Sequence, residues 1–353
     1  MKKIQSTSAE FFEINGFMSK VLVLFVLSAT VWVAYKQLAV DVLPIEPSTI
    51  FLETIGTPTS SVITEISFAT KTPTTPVIKK TSEMKLTFSE EFNTFSRYLD
   101  ENGNVTCKSG GSGIWQTVYN FCYRTQPNNG EQEVYIDPGF IAFLKNQSAT
   151  TSEIDPDNPF AIKDGVLSIK AAPSSPEVLK AVGSWAKYTS GLITTQFSFS
   201  QTYGYFEARV KLPPGKGLWP AFWLLPIDET WPPEVDAMEV FGDTGVTGEG
   251  GRTLIHYASH GVNKKDSCGE WYDLGTDLTS GFHTYGVDIE IDKITYYFDG
   301  KPYASCPGNP DTNKPFYMLL NLAVGGWPGS PDVNTPWPSY MYIDYVRAYQ
   351  KTQ

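Results

Sequence analysis

A chain of 353 residues has room for two or three average domains, or for one large β-sandwich behind a leader and a linker. Its formal charge of −11, from 38 Asp and Glu against 27 Lys and Arg, argues against a nucleic-acid partner, because such partners are held through phosphate contacts from basic side chains. Aromatics make up 14% of the chain beside 29 Gly and 25 Pro, a mixture that suits a strand-rich, loop-rich fold with aromatic binding surfaces.

Residues 1–20 are polar and carry Lys2, Lys3 and Lys20, so they read as a cytoplasmic lead. Val21 to Tyr35 is an almost unbroken apolar run. It is short for a membrane span, which needs about 20 residues, and suits a signal-peptide core. Two readings stand: an uncleaved signal anchor over 21–40, lengthened by a snorkelling Lys36, or a secretory signal starting at Met18. Both put the rest of the chain outside the cytoplasm, with the hydrophobic segment as its contact with a membrane. Residues 41–83 are rich in Thr, Pro and Ser and show no strand or helix period, which predicts an extended tether.

Four cysteines, Cys107, Cys122, Cys268 and Cys306, form no Cys-x-x-Cys pair, so a zinc ribbon is not expected. In an exported protein they allow three pairings. Cys107–Cys122 with Cys268–Cys306 is preferred, because each pair closes a loop flanked by strand-like runs. From Met84 onward, short alternating or aromatic runs recur between Gly, Pro, Asn and Asp. They include Lys85–Phe88, Gly165–Lys170, Gly204–Leu212, Leu254–His256, Thr284–Ile291, Ile294–Phe298, Phe316–Leu322 and Tyr340–Tyr349. Asp299-Gly300 is a hairpin signal after Ile294–Phe298. No long helical period and no solenoid-type repeat is present. The expectation is an all-β, antiparallel sandwich over 84–353.

One stretch in that domain carries chemistry: Glu234-Val235-Asp236-Ala237-Met238-Glu239. In a strand, Glu234 and Asp236 share one face. Strict alternation would turn Glu239 to the other face, and one extra residue absorbed as a β-bulge returns it to the acidic side. Like charges this close raise one another's pKa. Glycoside hydrolysis uses that effect, since it needs one ionised carboxylate and one carboxylic acid. An ordinary exposed amphipathic strand would read the same way over six residues. A metal site is the rival use, disfavoured because residues along one strand do not enclose a cation.

The surrounding segments resemble the family 16 glycoside hydrolases, the laminarinases and lichenases. The core Glu-x-Asp-x-x-Glu is matched by Glu234, Asp236 and Glu239. Around it stand Tyr-Thr-Ser-Gly-Leu-Ile-Thr-Thr (188–195), Tyr-Gly-Tyr-Phe-Glu-Ala-Arg-Val-Lys-Leu-Pro (203–213) and Gly-Leu-Trp-Pro-Ala-Phe-Trp-Leu-Leu-Pro (217–226). Phe-His-Thr-Tyr-Gly-Val-Asp (282–288), Asn-Leu-Ala-Val-Gly-Gly-Trp (321–327) and Ile-Asp-Tyr-Val-Arg-Ala-Tyr (343–349) follow in the family's order. The match covers essentially all of 84–353. It implies a β-jelly roll of two antiparallel sheets with a substrate cleft across the concave one. It implies Glu234 as nucleophile, Glu239 as general acid/base and Asp236 as the group between them. Trp-Pro-Pro-Glu before the motif and Asn-Asn-Gly-Glu-Gln-Glu (128–133) resemble bacterial exopolysaccharide depolymerases. Leu192 stands where many laminarinases carry Arg, which argues against a strict β-1,3-glucan preference.

The resemblance further implies a polysaccharide substrate, cut internally with retention of configuration, and no catalytic cofactor. A wall-glycan transglycosylase and a non-catalytic glycan-binding sandwich are the alternatives, and a monomer is expected. His256 reads either as a residue bordering the cleft or as a hydrogen-bonded structural histidine; His260 and His283 read as structural. Sugar rings present an apolar face to aromatic platforms. Trp219 is the leading platform, Trp115, Trp231 and Trp327 are further cleft candidates, Trp223 is assigned to the core or the rim, and Trp185 to the core. Asn129, Glu131 and Arg209 are candidate polar contacts to sugar. Glu91, Gly165 and Asp344 match positions that hold a structural Ca²⁺ in family members, where hard oxygen ligands suit the ion.

Overall fold

The computed structural model describes residues 81–243 and 250–352. The expected cytoplasmic segment, the hydrophobic run and residues 41–80 of the tether lie outside the described residues. Among the described residues, no helix is long and apolar enough to cross a membrane.

Two β-sheets make up the domain. Ten strands form the first: β1 (Met84–Glu90), β2 (Glu133–Tyr135), β3 (Phe160–Lys163), β4 (Val166–Pro173), β5 (Tyr188–Ser190), β7 (Gly204–Lys211), β12 (His283–Ile289), β13 (Lys293–Phe298), β14 (Lys301–Pro307) and β16 (Ser339–Lys351). Six form the second: β6 (Leu192–Thr194), β8 (Leu218–Pro226), β9 (Glu234–Glu239), β10 (Leu254–His260), β11 (Cys268–Asp273) and β15 (Phe316–Val324). The six-stranded sheet runs β11-β10-β9-β8-β15-β6, antiparallel throughout. The all-β sandwich expected from the run pattern is therefore the fold.

Period-2 alternation in β8 and β15 divides the two faces of this sheet. Leu218, Phe222 and Leu224, with Phe316, Met318, Leu320, Leu322 and Val324, join the core between the sheets. Phe206, Ala208, Val210, Tyr285, Val287, Tyr296, Ile343 and Val346 meet them from the larger sheet. The Tyr296 hydroxyl crosses this core to donate to the Ala258 carbonyl at 2.7 Å, so a buried polar group there has its partner. On the opposite face, Ala221, Trp223, Tyr317 and Leu319 form a separate cluster with Tyr119, Tyr135 and Leu192. Trp223 is therefore not in the central core: a strand puts residues 219, 221 and 223 on one face. Trp185 also misses the core; it is 45% exposed, and its indole donates to the Val182 carbonyl.

Asp299 and Gly300 both take positive φ (44° and 73°) and link β13 to β14, as the dipeptide predicts. The disulfides are Cys107–Cys122 and Cys268–Cys306, the preferred pairing. The second ties β11, an edge of the smaller sheet, to β14, an edge of the larger one.

Candidate active site

β9 lies between β8 and β10. Trp223 faces Asp236 and Phe222 faces Met238, so Ala237 is an extra residue opposite β8. The same shift appears against β10, where Ala258 faces Asp236 and His256 faces Glu239. Ala237 and Met238 are both fully buried in the central core. This is the expected bulge. Two consecutive apolar residues turn inward, which spares Glu239 the cost of an unpaired charge in that core. Glu234, Asp236 and Glu239 then line one cleft with Trp219, Ala221, Trp223, Trp231, Asn321 and Ala323.

Each carboxylate has its own partners. Glu239 receives the Trp219 indole N–H at Oε1 (2.9 Å), while His256 Nδ1 lies 2.7 Å from Oε2. Glu234 Oε2 receives the Trp231 indole N–H at 2.7 Å. His260 Nε2 lies 3.0 Å from Asp236 Oδ2 and 3.9 Å from Glu234 Oε1. Burial raises Glu234 well above the usual carboxylate range, and the Asp236 charge adds to the rise. His260 and the Trp231 hydrogen bond oppose it. Burial also pushes Asp236 well up, reinforced by the charge on Glu239 and opposed by its hydrogen bond with Glu234. A proton held between Glu234 and Asp236 therefore belongs to the pair rather than to one residue.

His260 is thus part of the site, contrary to its structural assignment. It sits four residues after His256 on β10, so alternation places both on the cleft face. His283 instead pairs with Asp299 (2.8 Å) on the other sheet. His260 also changes the argument about metals. Ligand-type atoms of Glu234, Asp236 and His260 lie within 4.8 Å of one another, across two strands. These are the residues that could hold a cation, although both carboxylates already accept or share hydrogen bonds.

The second wall comes from the segment before β2. Glu131 accepts from the Asn129 side chain (3.2 Å) and from the Gln126 backbone (3.3 Å), and all three line the cleft. Burial raises Glu131 as well, and more so its fully buried neighbour Glu133, which accepts the Val324 N–H at 2.8 Å. Beneath the cleft, Trp223 donates to Asn321 Oδ1 (2.7 Å), and Asn321 donates to the Tyr135 hydroxyl (3.0 Å). Tyr119, Gln126, Trp223 and Asn321 are cleft residues that the sequence reading missed. Trp327, 46% exposed, packs against Phe241, His256 and Trp271 with centroids 4.8–5.6 Å away, extending the aromatic wall beside Trp219.

Three candidates fall elsewhere. Trp115 has no exposed surface; it stacks on Phe92 (5.7 Å, 19°) in the core, and its indole donates to Glu90. Arg209 lies on β7 of the larger sheet, paired with Asp344 at 2.7 Å and set over the Phe282 ring. It contacts no cleft residue because its sheet forms the opposite layer. For the Ca²⁺ set, Glu91 is paired with Arg347 at 2.8 Å and Asp344 with Arg209. Gly165 occupies the β3–β4 turn. Each guanidinium group occupies one carboxylate oxygen, Glu91 Oε1 and Asp344 Oδ2, and so takes up part of the oxygen set that a cation would need. A larger cavity of about 510 Å³, lined by Lys216, Asp243, Arg252 and Asp332 among others, shares no residue with the cleft and carries no aromatic wall.

Comparison with known proteins agrees with this arrangement. The chain is 39% identical over 271 residues to the endo-1,3-1,4-beta-glycanase ExsH of Rhizobium meliloti, covering 76% of this chain and 52% of that protein. It is 38% identical, with the same coverage, to the endo-1,3-1,4-beta-glycanase EglC of that organism. The chain thus matches about half the length of these relatives. Among solved structures, the laminarinase catalytic domain of Thermotoga maritima MSB8 superposes with a TM-score of 0.58 at 29% identity, covering 77% of this chain and 100% of that one. The endo-beta-1,3-glucanase of Pyrococcus furiosus gives 0.57 at 31%, covering 76% and 95%. The family model "Glycosyl hydrolases family 16" matches residues 166–347, just over half of the chain and the segment that contains β9 with its bulge. The chain therefore belongs to glycosyl hydrolase family 16.

Proposed function

We propose that the chain is an endo-acting, retaining glycoside hydrolase that cuts internal β-bonds of a β-1,3 or β-1,3-1,4 glucan, or of a related exopolysaccharide. The observation that carries this reading is the bulge at Ala237, which leaves Glu234 and Glu239 on one cleft face with separate hydrogen-bond partners. The endo-1,3-1,4-beta-glycanase activity named for the two Rhizobium meliloti relatives supports the substrate class.

In this reading Glu234 is the nucleophile. The Trp231 N–H stabilises its anion against the cost of burial. Asp236, enclosed between the other two, is hydrogen-bonded with Glu234 and tunes the protonation of that pair. Glu234 attacks the anomeric carbon, the glycosidic C–O bond breaks, and protonated Glu239 gives its proton to the leaving oxygen. Trp219 and His256 fix the two oxygens of Glu239 for that transfer. Water then attacks the anomeric carbon while Glu239 takes its proton, so a new C–O bond forms as the bond from sugar to Glu234 breaks, with net retention. Retention requires carboxyl groups about 5–5.5 Å apart. Trp219, Trp231 and Trp327 supply apolar faces for sugar rings, and Asn129 and Glu131 supply polar contacts. The two disulfides fit an oxidising compartment, so we place the domain outside the cytoplasm, secreted or held by the 21–40 segment.

The test is a digest of laminarin, lichenan and acidic exopolysaccharide by the full chain, with products sized by mass and the first-formed anomer read by NMR. Internal cleavage with the β-anomer formed first is expected, and Glu234→Gln should lose that activity by more than a thousandfold. An inverted first product, or wild-type rates in Glu234→Gln, would remove the assignment. Adding an oligosaccharide acceptor separates hydrolysis from transglycosylation.

A further inference from the structure

The segment 119–126 enters and leaves on the cleft wall. Tyr119 is 5% exposed and packs edge-on against Tyr135 and Trp223, with centroids at 5.5 and 6.1 Å. Gln126 lines the cleft at the other end. Between them, two aromatics are open to solvent: Phe121 is 61% exposed and Tyr123 58%. Their ring centroids are 6.3 Å apart with planes at 64°, which makes an open corner.

The backbone holds them there. Phe121 and Cys122 take φ of 56° and 60°, a left-handed conformation that costs about 1–3 kcal/mol at a bulky residue and persists only where the surroundings over-determine it. Those surroundings are present. Tyr119 N–H donates to the Tyr123 carbonyl at 2.9 Å, and Cys122 is tied to Cys107. Arg124 donates to the Tyr135 carbonyl and pairs with Asp137. A strapped loop that pushes two rings into water forgoes burial worth about 1.5–3 kcal/mol for a large apolar side chain. The two rings suit a sugar ring with an apolar face, and Arg124, the charged side chain next to Tyr123, is paired with Asp137.

We propose that Phe121 and Tyr123 form an outer sugar-binding site, which takes a neutral pyranose ring of the same glucan chain that occupies the cleft. This rests on the glycanase reading above. Its occupant follows from continuity: one short segment supplies Tyr119 to the cleft wall and the two exposed rings beyond it. The site adds binding for long chains and none for oligosaccharides confined to the cleft.

The test uses the full chain in a Glu234→Gln background, so that substrate survives, with affinity electrophoresis in lichenan and laminarin gels. Phe121→Ala with Tyr123→Ala should weaken retardation, raising the apparent Kd about five- to tenfold. Phe121→Trp with Tyr123→Trp should keep it within twofold of the parent, which separates ring loss from a damaged fold. In the active background, the ratio of kcat/KM on polymer to that on a short oligosaccharide should fall by a similar factor in the alanine pair. An unchanged Kd in the alanine pair, or an equal loss in the tryptophan pair, would overturn the site. So would a change confined to sedimentation, which would mark the corner as a contact between copies. If the wild-type chain cleaves no glucan, the glycanase reading fails; if it cleaves and the alanine pair binds as tightly, only the outer site fails.

Discussion

Trp231→Phe isolates one hydrogen bond at the nucleophile. The substitution keeps an aromatic ring and removes the N–H that reaches Glu234 Oε2 at 2.7 Å. A hydrogen bond to a charged acceptor contributes about 1.5–3 kcal/mol. Trp231 is 69% exposed, so water replaces part of the lost bond, and about 1 kcal/mol is the working figure. At 1.36 kcal/mol per pKa unit, that lifts Glu234 by about 0.7 unit. The direction follows from chemistry: Glu234 attacks as an anion, and the Trp231 bond lowers its pKa against the rise caused by burial and Asp236. Without the bond, the acidic limb of log kcat/KM against pH moves to higher pH by about 0.7 unit. On that limb the variant is slower by about fivefold more than on the plateau. Lost stacking with sugar would lower kcat/KM equally at every pH, so the shape of the profile separates the two effects. The assay is initial rates of reducing-end release from lichenan between pH 3 and 8, with stability checked at each pH. An acidic limb that stays within about 0.2 unit of wild type would refute the claim that this bond tunes the nucleophile.

Three further outcomes follow from the same geometry. Asp236→Asn removes a buried acid whose folded-state pKa is raised, and such a group stabilises less as pH climbs above its unfolded value near 3.9, because the folded state must then give up a proton it holds more tightly. The variant's melting temperature relative to wild type should therefore rise as pH climbs above about 4, while its activity falls; a difference that shrank with pH would be the wrong sign. Trp115→Ala should destabilise by about 3–5 kcal/mol through a core cavity, read by urea titration, and leave KM for glucan within twofold; a selective rise in KM would return Trp115 to the cleft. Replacing Cys268 and Cys306 together by Ser opens a link spanning 38 residues, which chain entropy values at about 4 kcal/mol. The expected loss in melting temperature is on the order of 10 °C, and a change below 2 °C would show that the two sheet edges need no clip.

Alternation along single strands made much of the site legible. Glu234 and Asp236 on one face, and the bulge that returns Glu239, follow from the order of charged and apolar residues, since a carboxylate cannot take Met238's place in a hydrophobic layer. The same period, applied without exception, would have put Trp223 with Trp219 and His260 with His256; those two placements were available and were missed. The Asp299-Gly300 hairpin was also readable, because it depends on a turn, and the preferred disulfide pairing joins each cysteine to its neighbour in the chain order. What the chain order does not contain is which strand lies in which layer. Arg209 and Trp219 both sit in aromatic, strand-like segments, yet β7 pairs with β12 and β16 in the larger sheet while β8 borders β9. That choice comes from pairings across as many as 144 residues, Tyr205 with Tyr349, and it sends Arg209 to Asp344 rather than to sugar. Trp115 likewise reads as an isolated aromatic until Phe92 and Glu90, from β1 and the residues after it, close over it. The six residues of β9 set the chemistry because their faces are fixed locally. The walls around them depend on long-range packing, and only the tertiary structure shows which side chains supply them.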